Sequence, residues 1–198
     1  MAQLTLQEAL DSATKRYEVF TVCTPFFWSR RRSVVLGFFA NLRALGTVGF
    51  LASHSASVCA DAASAGVDCV LTRHFEPSRD RMMSKARWFV LDRFLASRRR
   101  VTFAGADIRF IAPVARMFDV SGIDGPVDAT FEGRVGQGLL TQFTPDLIMA
   151  FATDACAAFV RQVLTRIDSE PSTDGLPPQL RSEKQLLKHD LMGPAQQE

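Results

Sequence analysis

The sequence predicts an α/β domain: a central, mostly parallel sheet flanked by helices. Three observations carry this expectation. Four short apolar runs, Glu18–Cys23, Thr47–Ala52, Val67–Leu71 and Val101–Ala104, alternate with helical stretches. These runs show little polar alternation, which marks strands buried on both faces. The chain of 198 residues is 47% apolar and 22% charged, ordinary for a domain with a real core.

Each element has its own warrant. Thr5 can cap a first helix whose apolar face is Leu6, Ala9, Leu10 and Ala13. The strand EVFTVC follows, then a loop with Pro25. A helix is expected from about Arg31 to Leu45, with Val34, Val35, Phe38, Phe39 and Leu42 on one stripe, and Gly46 closes it. The strand TVGFLA comes next. Ser55 or Ser57 then caps a helix of small residues that Gly66 ends. After the strand Val67–Leu71, a long helix is expected from about Arg79 to Ser97, with Met82, Trp88, Phe89, Leu91, Leu95 and Ala96 inward. The strand Val101–Ala104 leads into Gly105-Ala106-Asp107.

Beyond Asp107 the pattern loosens. Arg109–Ile111 can continue a strand, Val114–Phe118 reads as a helical turn after Pro113, and Val127–Phe131 as a further strand. Gly133, Gly136 and Gly138 mark a flexible loop. LIMAF, Leu147–Phe151, is a strand, and Thr153 caps a helix to about Ile167 with Cys156, Phe159, Val160, Val163 and Leu164 inward. The expected organisation is one domain over residues 1–170 and a polar tail over 171–198, with no internal repeat.

Composition narrows the function. A net charge of +2 is too small to demand a nucleic-acid or membrane partner. The triplets Arg30–Arg32 and Arg98–Arg100 concentrate positive charge, each read as flanking a helix end, where a basic residue is a solvated terminus or a patch. No specific nucleic acid is expected, because no aromatics interleave with the arginines. No run approaches the ~18 apolar residues of a membrane span. The amino-terminal stretch reads as an amphipathic helix and not a signal peptide. Cys23, Cys59, Cys69 and Cys156 form no C-x-x-C pair. Cys59 and Cys69 read most simply as buried free thiols, or as disulfide partners in an oxidising compartment.

No P-loop, G-x-G-x-x-G after a strand, H-E-x-x-H or G-x-S-x-G occurs. In an open α/β sheet, ligands sit at the carboxyl ends of strands, which draws attention to His54 after one strand and Asp107 after another.

The segment from Lys85 to Pro113, KARWFVLDRFLASRRRVTFAGADIRFIAP, carries a more specific signal. It resembles the part of the nucleotide-diphospho-sugar transferases in which a lysine-bearing helix precedes a strand ending in D-x-D, followed by an apolar run and a proline. Upstream, LGFFANLRALGTVGFLASHSASVCADAASAGVDCVL is similar to the helix, strand, helix and strand ahead of that motif. Downstream, DLIMAFATDACAAFVRQVLTRI is similar to the strand and helix after the acceptor loop. The resemblance spans about Val34 to Ile167 and implies a GT-A-like fold. It implies a glycosyltransferase that moves a sugar from a nucleotide-diphosphate donor to an acceptor. It further implies Mn2+ or Mg2+ on Asp107, with Lys85, His54 and Arg109 as substrate-binding residues.

A divalent ion held by carboxylates would neutralise the diphosphate and stabilise the leaving group. The chain departs from the pattern at three places. Gly105 stands for the first Asp, His54 for a strand-end acidic residue, and Glu183 and Gln185 match the terminal acidic-Gln element poorly. A catalytically degenerate binding domain is therefore the alternative, and a nucleic-acid-binding domain a more distant one. The family often works in the Golgi lumen, and its members usually continue further with acceptor-side structure, which gives the expectation of a fragment.

Overall fold

The computed structural model describes residues 5–11, 16–72, 81–119, 127–128 and 147–169. Helix α1 (Leu6–Asp11) leads to β1 (Val19–Val22), α2 (Pro25–Ala44), β2 (Gly49–Ser53), α3 (Ala56–Ser64) and β3 (Cys69–Leu71). Next come α4 (Arg81–Ala96), β4 (Val101–Ala104), a 3-10 helix (Val114–Asp119), β5 (Val127–Asp128), β6 (Leu147–Ala150) and α5 (Asp154–Ser169).

The strands form one sheet in the order β3-β2-β1-β4-β6-β5. Strands β1 to β4 run parallel, while β6 lies antiparallel to β4 and β5 antiparallel to β6. The expected mostly parallel sheet is thus present, with an antiparallel margin on one side. The glycine run Gly133–Gly138, Glu183 and Gln185 fall outside the described residues.

Side chains alternate across the sheet as a pleat requires. Phe20, Val22, Phe50, Ala52, Val70, Val101, Phe103 and Ile148 pack under α1, α4 and α5. Val19, Leu51, Cys69, Ala104, Leu147 and Met149 pack under α2 and α3. Both faces are covered, which explains why the strands read as unbroken apolar runs. Rings stack through the first layer: Phe20 on Phe50, and Phe50 on Phe94. Gly49 starts β2 where a Cβ would meet Leu42 Cδ1 at 2.7 Å and the Val19 carbonyl oxygen at 3.2 Å, so a side chain there would require the Leu42 tip to shift.

Several boundaries differ from the sequence expectation. Helix α2 begins at Pro25, not Arg31, because Thr24 accepts the Phe27 N–H and proline fits the first turn. Its backbone is non-helical at Arg31 (φ −130°, ψ 23°), so α2 is two helical segments joined at a kink; the first arginine triplet lies at that joint, where the helix was expected to start. The strand ending at Ala104 does not resume over Arg109–Ile111. Trp88 is fully buried, whereas Phe89 is half-buried under the Arg93 guanidinium, and Ala96 is exposed.

The caps at Thr5, Ser55 and Thr153 are made as expected. Cys59 and Cys69, read first as free thiols, are joined in a disulfide that ties α3 to β3, with Cα atoms 5.1 Å apart. Cys23 and Cys156 are buried free thiols.

Candidate functional site

The strand order defines a switch point. From β1 the chain proceeds outward through β2 to β3, then returns to place β4 on the other side of β1. Helices α2 and α3 lie on one face and α4 on the other. The crevice of such a sheet opens beyond the carboxyl ends of the two strands at the reversal, here β1 and β4. Cys23 and Thr24 leave β1 there, and Gly105-Ala106-Asp107 leaves β4.

The β2 end is locked to the β1 end at this edge. Ser53 Oγ donates to the Cys23 carbonyl at 2.8 Å and accepts from the Ser55 N–H. His54 sits on the bend between these contacts, half-buried, and that burial lowers its pKa. At neutral pH it is a neutral imidazole, able to donate one hydrogen bond and accept another. Helices α2 and α3, capped by Thr24 and Ser55, both begin at this edge and turn the positive ends of their dipoles toward it.

Asp107 is exposed in the turn after β4, which is closed by the Ile108 N–H on the Gly105 carbonyl at 3.0 Å. Lys85 is half-buried in the second turn of α4, at the end of that helix that follows β3 and so on the same edge. Arg109 is exposed, but the chain has turned by this point. The next residue, Phe110, exchanges two hydrogen bonds with the Asn41 side chain at 3.1 and 2.9 Å. Its ring also packs near Phe38. Asn41 lies near the carboxyl end of α2, toward the opposite edge of the sheet. Val114 continues that way, its N–H bonded to Thr47 Oγ1 just ahead of β2. The structure thus gathers His54, Asp107 and Lys85 at one edge and leads Arg109 away from it.

Among the described residues, no group of three or more His, Cys, Asp or Glu side chains comes together around a possible metal ion. Asp107 alone is not a preformed centre. One carboxylate does fit the way Mg2+ is held when phosphate oxygens and water complete its shell. Cys23, at the end of β1, offers no nucleophile: burial pushes its thiol up to about 12.

The arginine triplets do not form one surface. Arg30–Arg32 ride on α2, where Arg32 pairs with Asp61 of α3 at 2.9 Å. Arg98–Arg100 lie at the amino-terminal edge of the sheet, between α4 and the amino end of β4. No helix among the described residues is long and apolar enough to cross a membrane. Sequence patterns drew attention to His54 and Asp107 but missed Thr24 and Ser53, whose place depends on which strand neighbours which. The chain matches no protein-family model, and no curated protein is similar enough to count as a relative.

Proposed function

We propose that the protein is a GT-A-like glycosyltransferase, binding a nucleotide-diphosphate sugar at the carboxyl edge of its sheet and moving the sugar to an acceptor. The observation that carries this reading is the position of Asp107, an exposed carboxylate directly beyond the strand at the switch point. The resemblance of Lys85–Pro113 to the nucleotide-diphospho-sugar transferases supports it. Two helix amino termini at the same edge favour a diphosphate. In this reading Asp107 holds Mn2+ or Mg2+ that is bound mainly through the donor's phosphates. Lys85 supplies a point charge to the diphosphate and His54 a hydrogen bond, while Arg109 stands further off.

A second reading, a binding domain without catalysis, is favoured by Gly105 where a second carboxylate would complete the metal site. Calorimetry with nucleotide diphosphates, with and without manganese, separates the two. Asp107→Asn should abolish manganese-dependent binding. Gly105→Asp should strengthen it by about 1–2 kcal/mol, the worth of one charge-assisted contact in a partly solvated site. The backbone permits this change, because only Gly46 and Gly66 among the described glycines take positive φ. Binding by Asp107→Asn equal to that of the parent would reduce Asp107 to a turn residue. Sugar release from the donor by the parent, or its absence despite binding, then decides between enzyme and binding domain.

A further inference from the structure

A cavity of about 310 Å³ opens at the opposite, amino-terminal edge of the sheet, lined by Arg16, Tyr17, Glu18, Arg98, Arg99, Arg100 and Ala152. Its volume is at the small end of the roughly 300–1,000 Å³ typical of ligand pockets. Its lining is unusual for such a pocket, since four of its residues are arginines and one, Glu18, is acidic. A second carboxylate, Asp154, pairs with Arg98 at 2.7 Å from outside the lining.

Two features indicate that the charge is held in place. Arg99 donates to the Leu10 and Ala9 carbonyls at the end of α1, at 2.6 and 3.4 Å, and its guanidinium lies over the Phe94 ring. Arg98 takes a left-handed backbone, with φ of 53°.

The second feature is informative by comparison within the molecule. Helices α2, α3 and α4 end in the same way. The residue past the end donates to the carbonyl three residues back, and the following one to the carbonyl five residues back. At α2 and α3 the left-handed residue is Gly46 or Gly66. At α4 it is Arg98, which bears a strain that glycine would not. A strained residue at a cavity wall points toward a role for its side chain.

We propose that this cavity is a site for a compact, multiply charged phosphate-bearing anion, of the size of a diphosphate. Arg99 forms an anchored wall, and Arg98 and Arg16 meet the ligand from the exposed side. Planar guanidiniums meet phosphate oxygens in pairs, so the site needs no metal. It is independent of the donor site proposed above.

The test is calorimetry with inorganic diphosphate in chelator at constant ionic strength, so that metal-dependent binding near Asp107 does not contribute. Saturable binding of one diphosphate per chain is expected, unchanged in Asp107→Asn. Arg98→Gly should weaken it about tenfold or more, the loss of one charge-assisted contact, yet melt no lower than the parent because the left-handed position then holds glycine. Glu18→Gln should bind more tightly, a gain that a folding defect does not produce. Failure of diphosphate to saturate, or parent-like affinity in Arg98→Gly, overturns the proposal. So does binding of an oligonucleotide at these arginines without binding of diphosphate.

Discussion

Asp61 links two helices through its side chain. It accepts from Arg32 Nε and Nη2 at 2.9 and 3.0 Å, from Trp28 Nε1 at 2.8 Å and from Ser64 Oγ at 3.4 Å. The Arg32 bonds first, then the Trp28 bond, hold its carboxyl at about 2, below the usual 3.8. The folded-state pKa is depressed, so the stability Asp61 contributes is complete above pH 4 and is lost as the pH falls toward 2. The alkaline side has the opposite sign. Burial raises Cys23 to about 12 and Cys156 to about 11, and burial and the neighbouring Asp68 also raise Tyr17. Unfolded thiols ionise from the usual 9.0 upward, so stability that is complete below that pH declines as the pH rises toward 12. Melting temperature followed against pH should fall on both limbs. Asp61→Asn should flatten the acid limb alone, and Cys23→Ala should soften the alkaline one. An acid limb unchanged in Asp61→Asn would show that the Arg32 contact carries no linked stability.

The disulfide acts at the scale of elements, because it fastens α3 to the edge strand β3 across a separation of 10 residues. Closing so short a loop in the unfolded chain is worth about 2–3 kcal/mol by chain entropy. Reduction, or Cys59→Ala with Cys69→Ala, should lower the melting temperature by roughly 5–10 °C for a chain of this size. An unchanged melting curve under reductant would show that α3 and β3 are held by packing alone.

This bond also illustrates what could be read from sequence. The four parallel strands, most helices and the glycine stops at Gly46 and Gly66 were legible because each is a local pattern of period, cap or left-handed turn. The Cys59–Cys69 pairing was not, since two buried cysteines look alike whether bonded or free. The first helical segment of α2, ahead of the kink at Arg31, was missed because Pro25 was taken for a loop rather than the first turn of a helix. The arginine-lined cavity was invisible because Arg16 and Arg98 are distant in the chain and meet only when β1 and β4 pair.

Across the whole molecule, Arg30–Arg32 ride on α2 over one face of the sheet and Arg98–Arg100 lie at its amino-terminal edge, so the triplets do not form one basic stripe. Binding to mixed-sequence DNA should therefore be weak, with a shallow salt slope, and should vanish near physiological salt. Tight, sequence-selective binding in a salt titration would restore the nucleic-acid reading. The candidate donor site was legible only in part. Asp107 and His54 were found because they follow strands, but that Asp107 and not His54 stands at the switch point depends on the strand order, which no local pattern encodes.

Strand β4 lies at the centre of the sheet, yet it pairs with β1, about eighty residues earlier, and with β6, about forty-five later. Loop closure on both sides must precede the full set of contacts, a topology that slows folding. As the chain is made from its amino end, β1 to β4 can pair while α5 is still missing. The face of α4 around Trp88, which the finished protein covers with Phe159, is then open to water. That surface is where a nascent chain of this protein would be prone to stick to its neighbours, and where a chaperone would find it.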